Sequence, residues 1–441
     1  MKHKSCRSKK VYILNLGCPK NLVDSEIIAQ KFAEQKEISW IFCSNPDSAD
    51  VIIVNTCGFV KDAREEAIKK IKELPKDKII GVVGCMVEKV GPKITQLIPN
   101  ADFCVGVGKY HIIPQLVHKV DKQIFIEGDK DYNYTAEFRR INSLSRYSAY
   151  VKISEGCSRG CSFCSIPLIK GHMRSRPLED IVKEITHLSE NGVREIILIS
   201  QDTISWGLDL SPKDNIIHLI KNIVKIKGVE WIRLFYIYPS FPSSTLEELI
   251  ALIKNEEKIV KYLEIPFQHI DDKILASMKR SLREKQIYKL IEKIRSKIVD
   301  VTLRTEFIVG FPGETQKQFD KLKKFVEEYN FDWIGIFCFS PEEGTEAFNL
   351  KNRINKDIAN SRKTELYNLW YKNFLLNQRS RVGKVFKSIF ERRENGFSIA
   401  RAYFQSPEIE GNIIIKGKMR EPFSEIKIVG YNDIDLIGKT L

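Results

Sequence analysis

The sequence predicts an α/β chain in three parts: an N-terminal parallel sheet with helices on its faces, a central open (β/α) barrel, and a small C-terminal all-β barrel of OB-like size. Three observations carry this. Short apolar runs alternate with amphipathic stretches over residues 1–127, the rhythm of a βαβ sheet. The rhythm returns on a larger scale over residues 148–375, after a polar, aliphatic-poor connector at residues 128–147. Over residues 376–441 it gives way to five short apolar runs, most bounded by Gly, Pro or Asn. At 441 residues the chain is also too long for one ordinary core.

In the first part Val11–Leu16, Val51–Asn55 and Ile79–Gly84 read as buried strands, with Phe103–Gly106 a shorter one. A helix opens at Asp24-Ser25-Glu26 and presents Ile27, Ile28 and Phe32 on one face. In the second part strands are expected at Tyr150–Ser154, Glu195–Ser200, Trp231–Tyr236, Tyr262–Ile265, Thr302–Val309 and Trp333–Phe339. The clearest helix is Pro177–Ser189: Pro177 suits a first turn, Leu178, Ile181, Val182, Ile185 and Leu188 form a stripe, and Gly192 follows the end. Six strand–helix repeats make an incomplete barrel whose mouth can admit a macromolecule, with functional residues at the C-terminal ends of the strands. The third part offers Val385–Glu391, Ser398–Phe404, Ile413–Lys416, Ile426–Val429 and Leu436–Ile437.

Hydrophobic content of 43% and charged content of 29% are those of a soluble globular protein. No apolar run approaches a membrane span, and no secretory stretch follows the basic Met1–Lys10, so a cytoplasmic protein without membrane attachment is expected. Ten cysteines in such a chain argue for metal or redox work over disulfides. The net charge of +14 suits a nucleic-acid or ribosomal partner, though a solvated lysine-rich surface gives the same number.

The most informative stretch is Cys157-Ser158-Arg159-Gly160-Cys161-Ser162-Phe163-Cys164, a C-x3-C-x2-C loop directly after an expected strand. Three thiolates can hold three irons of a 4Fe-4S cube and leave the fourth iron open, whereas electron-transfer clusters usually take four cysteines. A zinc knuckle would need a second pair or spaced histidines, and the closest histidine is His172. Three further cysteines stand at expected strand ends beside glycines: Cys18 after Gly17, Cys57 before Gly58, Cys85 after Gly84. Strand carboxyl ends form the ligand crevice of an open parallel sheet, so these thiols can converge on a second cluster. Read singly, each is a small buried hydrophobe. Cys6, Cys43, Cys104 and Cys338 lack this context and read as structural.

The C-x3-C-x2-C loop resembles the signature of the radical S-adenosylmethionine superfamily. With the three N-terminal cysteines and the terminal barrel, the chain resembles the methylthiotransferases over nearly its whole length, including Phe307-Ile308-Val309-Gly310-Phe311-Pro312-Gly313-Glu314-Thr315 and Pro266-Phe267-Gln268-His269. The resemblance implies an N-terminal domain with a second 4Fe-4S cluster, a radical S-adenosylmethionine barrel and a terminal TRAM domain. Leu16-Gly17-Cys18-Pro19-Lys20-Asn21-Leu22-Val23-Asp24-Ser25-Glu26, Ser154-Glu155-Gly156-Cys157, Gln201-Asp202-Thr203 and Ser406-Pro407-Glu408-Ile409-Glu410-Gly411 look like the branch that modifies an aspartate of small-subunit ribosomal protein twelve. The tRNA-adenosine branch, of the MiaB type, typically has Gln-Met-Asn where this chain has Pro19-Lys20-Asn21 and asparagine after the glutamine of Gln201-Asp202. Glu306, just before the Phe-Ile-Val-Gly motif, matches neither branch.

The implied reaction replaces one β-hydrogen of an aspartate with a methylthio group. That C–H bond is unactivated, so the resemblance implies a deoxyadenosyl radical, made with S-adenosylmethionine at a cluster held by Cys157, Cys161 and Cys164. The second cluster, on Cys18, Cys57 and Cys85, would carry the sulfur, and the two domains should close on a shared cleft. The partners implied are ribosomal protein twelve or the small ribosomal subunit, and an electron donor such as a flavodoxin or ferredoxin. No residue is assigned as general acid or base.

Gln201 and Asp202, at a barrel strand end, are candidate cofactor or substrate contacts, or a helix cap or turn. Arg304 could pair with the cofactor carboxylate or form a structural salt bridge, and His269 is a mouth contact or a turn histidine. Glu155, Gly156, Gly310 and Gly313 are further cofactor-binding candidates, and Lys152 with Glu155 flanks the cysteine loop. In the terminal barrel Arg401, Tyr403 and Phe404 could form a basic-aromatic surface for RNA, with one aromatic given to the core. The competing readings are a tRNA adenosine methylthiotransferase, which would share all six cluster cysteines, and a non-enzymatic iron–sulfur protein for RNA binding or electron transfer.

Overall fold

Six parallel strands build the N-terminal sheet in the order β2-β1-β3-β4-β5-β6: β1 (Arg7–Leu16), β2 (Ile38–Phe42), β3 (Val51–Thr56), β4 (Ile79–Gly84), β5 (Phe103–Val105) and β6 (Ile124–Ile126). The computed structural model describes residues 7–119, 123–136, 139–211 and 213–441, so Cys6 lies outside the described residues. β3 is buried along its whole length and β4 nearly so, which is why they read as continuous apolar runs. β2 and β6 were not among the expected strands. They are the two edges, paired on one side only, and their side chains are half exposed. Strand order reverses at β1, whose chain leaves to β2 on one side and returns to β3 on the other. The crevice of a doubly wound sheet lies at such a switch point.

The central domain opens with β7 (Ser148–Lys152) and an antiparallel pair of two-residue strands, β8 (Ser154–Glu155) with β9 (Arg174–Ser175). It continues through β10 (Glu195–Ile199), β11 (Trp231–Leu234), β12 (Ile259–Glu264), β13 (Thr302–Val309) and β14 (Trp333–Cys338). All are parallel in the order β14-β13-β12-β11-β10-β7, and β7 does not pair with β14, so the barrel is open as expected. The helix read as clearest runs Leu178–Glu190 with Pro177 at its N-cap, one position earlier than read, and buries Ile181, Ile185 and Leu188. The helix Gln316–Tyr329 starts with a capping box between Thr315 and Gln318. The last helix, Lys356–Arg381, leads to β15 (Val385–Glu394).

Five strands close the terminal barrel in the order β15-β16-β17-β19-β18, with β16 (Phe397–Ala402), β17 (Ile413–Lys416), β18 (Phe423–Asn432) and β19 (Asp435–Thr440). Closure leaves no free edge. This barrel seats on the N-terminal ends of the central strands, opposite the mouth. Arg401 bonds the Glu195 carboxylate at the start of β10, and Arg233 Nε donates to the same carboxylate at 2.9 Å. Trp333 Nε1 donates to the Phe404 carbonyl at 2.7 Å, and Tyr262 Oη to Glu410 at 2.7 Å. The expected RNA-facing trio is therefore corrected: Arg401 and Phe404 are buried, and the Tyr403 hydroxyl donates to the Asp300 carbonyl at 3.0 Å. Two aligned carboxylates, Glu195 and Glu391, draw Arg401 inward from β16. Among the described residues no helix is long and apolar enough to cross a membrane.

Candidate functional site

The switch-point crevice receives one cysteine from each of three adjacent strands. Cys18 directly precedes the helix Pro19–Ala33 after β1, Cys57 follows β3 and Cys85 follows β4. All three line one cavity, together with Lys20, Asn21, Gly58, Phe59 and, from the central domain, Ile166, Ile169, Lys170 and Gln201. Asn21 links two of the thiols: Cys18 Sγ donates to its Oδ1 at 3.3 Å, and its Nδ2 lies 3.7 Å from Cys85 Sγ. Gly58 is needed because a Cβ there would stand 2.3 Å from the Cys85 carbonyl oxygen. Burial pushes the Cys85 thiol up to about 12 and raises that of Cys57. A metal centre reverses that shift by deprotonating its thiol ligands outright. Among the described residues no three His, Cys, Asp or Glu side chains converge as ligands of a single ion do. Thiolates that each take a different iron of one cluster need not converge.

The second set, Cys157, Cys161 and Cys164, sits on a loop fixed between its own cysteines. Ser162 donates from N to the Met278 carbonyl at 3.1 Å and from Oγ to that of Ser277 at 2.7 Å, while its carbonyl accepts from Ala347 N at 2.8 Å. Phe163 packs into an apolar cluster of Ile274, Met278, Ile308 and Phe311. Arg280 Nη1 lies 3.4 Å from Cys161 Sγ, and Arg280 and Arg159 both stack on Tyr238, at 4.1 and 4.4 Å. Gly156, φ +72°, passes so close to the next turn that a Cβ would fall 2.0 Å from the His172 carbonyl oxygen. Burial raises the Cys157 thiol and pushes that of Cys164 up to about 12. Buried polar atoms without partners flank the loop: Ser154 Oγ, Gln201 Oε1 and Asp202 Oδ1. Unpaired buried polar groups cost stability, so their concentration here fits a polar ligand such as S-adenosylmethionine.

The end of β10 is the wall that both cysteine sets share. The Ser200 carbonyl accepts from Lys20 Nζ at 3.4 Å, Gln201 lines the cavity of the first set, and Asp202 receives Arg159 Nε of the second loop at 2.5 Å. Beside it a buried charge cluster joins the domains. Lys152 bonds both Asp24 and Glu155, Lys170 lies 3.4 Å from Asp24 and 3.5 Å from Glu155, and Tyr110 Oη donates to Asp24 at 2.7 Å. Burial opposes ionisation of Glu155, but Lys152 and Lys170 outweigh it and hold the carboxyl well below its ordinary range.

Other expected contacts sit elsewhere. Arg304 is engaged by carboxylates, with Nη1 3.3 Å from Glu410 and Nε 3.5 Å from Glu264, so it belongs to the barrel floor. His269 is fully buried; its Nδ1 accepts from Asp271 N at 2.9 Å and its Nε2 faces Glu314 at 3.6 Å. Both face anions inside the protein, which is the structural alternative for each. Gly310 (φ +72°) donates its N–H to Glu314, and Gly313, the exposed residue of the same turn after β13, donates to the Asn352 carbonyl at 2.9 Å. Sequence reasoning gave no role to Lys20, Asp24, Arg159, Lys170 or Glu264. Lys20, Asp24 and Arg159 lie inside quoted motifs; Lys170 and Glu264 carry no local signal.

Comparison with known proteins agrees with this geometry. The Radical SAM superfamily matches residues 151–326, the Uncharacterized protein family UPF0004 residues 10–106 and the TRAM domain residues 382–441. The fold is shared with two structures of the radical S-adenosylmethionine methyltransferase TsrM from Kitasatospora setae, at TM-scores of 0.54 and 0.55 and identities of 13% and 11%, covering 77% and 83% of this chain and 74% and 89% of those. Curated relatives named ribosomal protein uS12 methylthiotransferase RimO are far closer in sequence. That of Thermoanaerobacter sp. (strain X514) is 38% identical over 98% of this chain and 100% of its own length; that of Acetivibrio thermocellus is 39% identical over 98% of each. That of Aquifex aeolicus is 38% identical over 98% of this chain and 97% of its own. Three matched domains and this full-length similarity place the chain in the RimO family of radical S-adenosylmethionine methylthiotransferases.

Proposed function

We propose that the protein replaces a β-hydrogen of one aspartate in small-subunit ribosomal protein twelve with a methylthio group. The observation that supports this reading most directly is the shared wall at Ser200–Asp202, where Gln201 lines the cavity of the first cysteine set and Asp202 receives Arg159 of the second loop. On this reading Cys157, Cys161 and Cys164 hold one 4Fe-4S cluster and Cys18, Cys57 and Cys85 hold the other. Bound there with S-adenosylmethionine, the two clusters supply a radical able to break an unactivated C–H bond and a methylated sulfur to replace it.

The chain's own residues do the rest. Glu155 and Gln201, with Gly156 packing the strand end against the His172 turn, bind the polar groups of S-adenosylmethionine, and the turn of Gly310 and Gly313 borders the same mouth. Asp202 keeps Arg159, and through it the cysteine loop, in register with the end of β10. His269 and Arg304 act as positioning residues, one for the β13 turn and one for the floor. Lys152 and Lys170 hold the N-terminal domain over the mouth and exclude water from the gap. The electrons must come from an external one-electron donor.

The test is anaerobic reconstitution with S-adenosylmethionine, a reductant and purified ribosomal protein twelve. The wild type should bind roughly eight irons per chain, and a triple alanine variant of either cysteine set roughly half of that. Loss of Cys18, Cys57 and Cys85 should leave cleavage of S-adenosylmethionine in place but abolish methylthio transfer; loss of the other set should abolish both. An N-terminal variant that still transfers methylthio groups would refute the two-cluster reading.

A further inference from the structure

We infer that Lys20 is the specificity-determining residue that receives the carboxylate of the target aspartate, a reading that rests on the proposed substrate. The other basic residue lining the cavity of Cys18, Cys57 and Cys85 is Lys170, and it and its nearest basic neighbours are neutralised. Lys152 and Lys170 share Asp24 and Glu155, Arg159 is paired with Asp202, and Arg64 lies 2.6 Å from Glu342. Lys20 lines the cavity of Cys18, Cys57 and Cys85 and has no carboxylate within ion-pair distance among the described residues. Its ammonium stands 3.5 Å above the centre of the Tyr236 ring and donates to the Ser200 carbonyl at 3.4 Å. A ring face holds a cation in place without neutralising it. An ammonium has three donors, and only one is used here.

A second feature points the same way. Tyr236 follows the end of β11 with φ +58°, a left-handed conformation that disfavours a bulky side chain. Such backbone is kept where surrounding structure insists on it, as at ligand clamps. Here it places the ring under the ammonium at the edge of the cavity. Gln201, whose Oε1 has no partner, lines the same cavity.

The chemistry of the substrate selects this position. In aspartate the carboxylate is one bond from the β-carbon that loses hydrogen and gains sulfur. A cation that fixes the carboxylate at the rim of the sulfur-bearing cavity therefore fixes the reacting carbon beside it. The neutral amide of asparagine would gain nothing comparable from an ammonium, and charge-assisted contacts are about twice as strong as neutral ones.

The test uses the reconstituted holoenzyme and two forms of ribosomal protein twelve, with the target aspartate intact or changed to asparagine. The wild type should bind the aspartate form about tenfold more tightly. Lys20→Met and Lys20→Gln should bind both forms alike, and Lys20→Arg should keep a preference. Equal binding of the two forms by the wild type overturns the inference whatever the variants do, and so does a preference that survives Lys20→Met or Lys20→Gln. If the wild type modifies ribosomal protein twelve in neither form, the proposed substrate itself is wrong, a result separable from the failure of Lys20.

Discussion

Glu264 shows what one buried carboxyl can report. It ends β12 with Oε2 unpartnered, and burial pushes it up from 4.5 to about 7, with Arg304 opposing and Glu306 and Glu410 adding to the rise. A carboxyl raised in the folded state holds a proton there that the unfolded chain has released, so its stabilising share is complete below about 4.5 and is lost as pH rises through about 7. Glu264→Gln mimics the protonated form. Its Tm relative to wild type should therefore climb across that window and level off above it; a constant difference would mean the carboxyl is not raised. Lys20, by contrast, was legible as part of a motif but not as a chemical group. Its setting, with no carboxylate within ion-pair distance among the described residues, depends on Ser200 and Tyr236, which stand far along the sequence. The placement of the six cysteines was legible because strand ends and tight spacing set it locally, whereas the sequence left Arg304 and His269 between two readings because their anionic partners, Glu410 and Glu314, come from other elements.

Between elements, two ionic seams hold the domains. Lys170→Met would leave Asp24 and Glu155 sharing Lys152 alone, and breaking a buried pair from one side costs about 3–5 kcal/mol. The expected result is loosened docking, read as faster proteolysis of the connector at residues 128–147 and a lower Tm; unchanged cleavage would show that the seam is not structural. At the floor, Arg401→Met strips Glu391 of its guanidinium and leaves Glu195 with Arg233. A destabilisation of similar size, about 3–5 kcal/mol, should appear in denaturant unfolding. An effect below 1 kcal/mol would contradict the seam. Neither seam shows in local periodicity. Repeating apolar runs reveal strands such as Val51–Thr56, since side chains buried on both faces are mostly apolar, but they miss β2 and β6, where only one side is paired.

The molecule as a whole is a barrel capped at both ends. The N-terminal sheet closes its mouth with thiols and lysines, and the terminal barrel fills its floor with Glu410 and Arg401. The chemistry is thereby confined to one end, beside the wall at Ser200–Asp202. The three-part architecture was readable from the change in period along the chain. The seating of the last barrel was not, because Arg401 and Phe404 look like a surface until Glu195 and Trp333 are placed against them.

The central claim is the target, and mass spectrometry of ribosomal proteins and digested tRNA from cells with and without this gene tests it most directly. One methylthio increment on an aspartate of small-subunit ribosomal protein twelve should vanish with the gene. If that protein is unchanged and a methylthioadenosine disappears from tRNA instead, the assignment of substrate is contradicted.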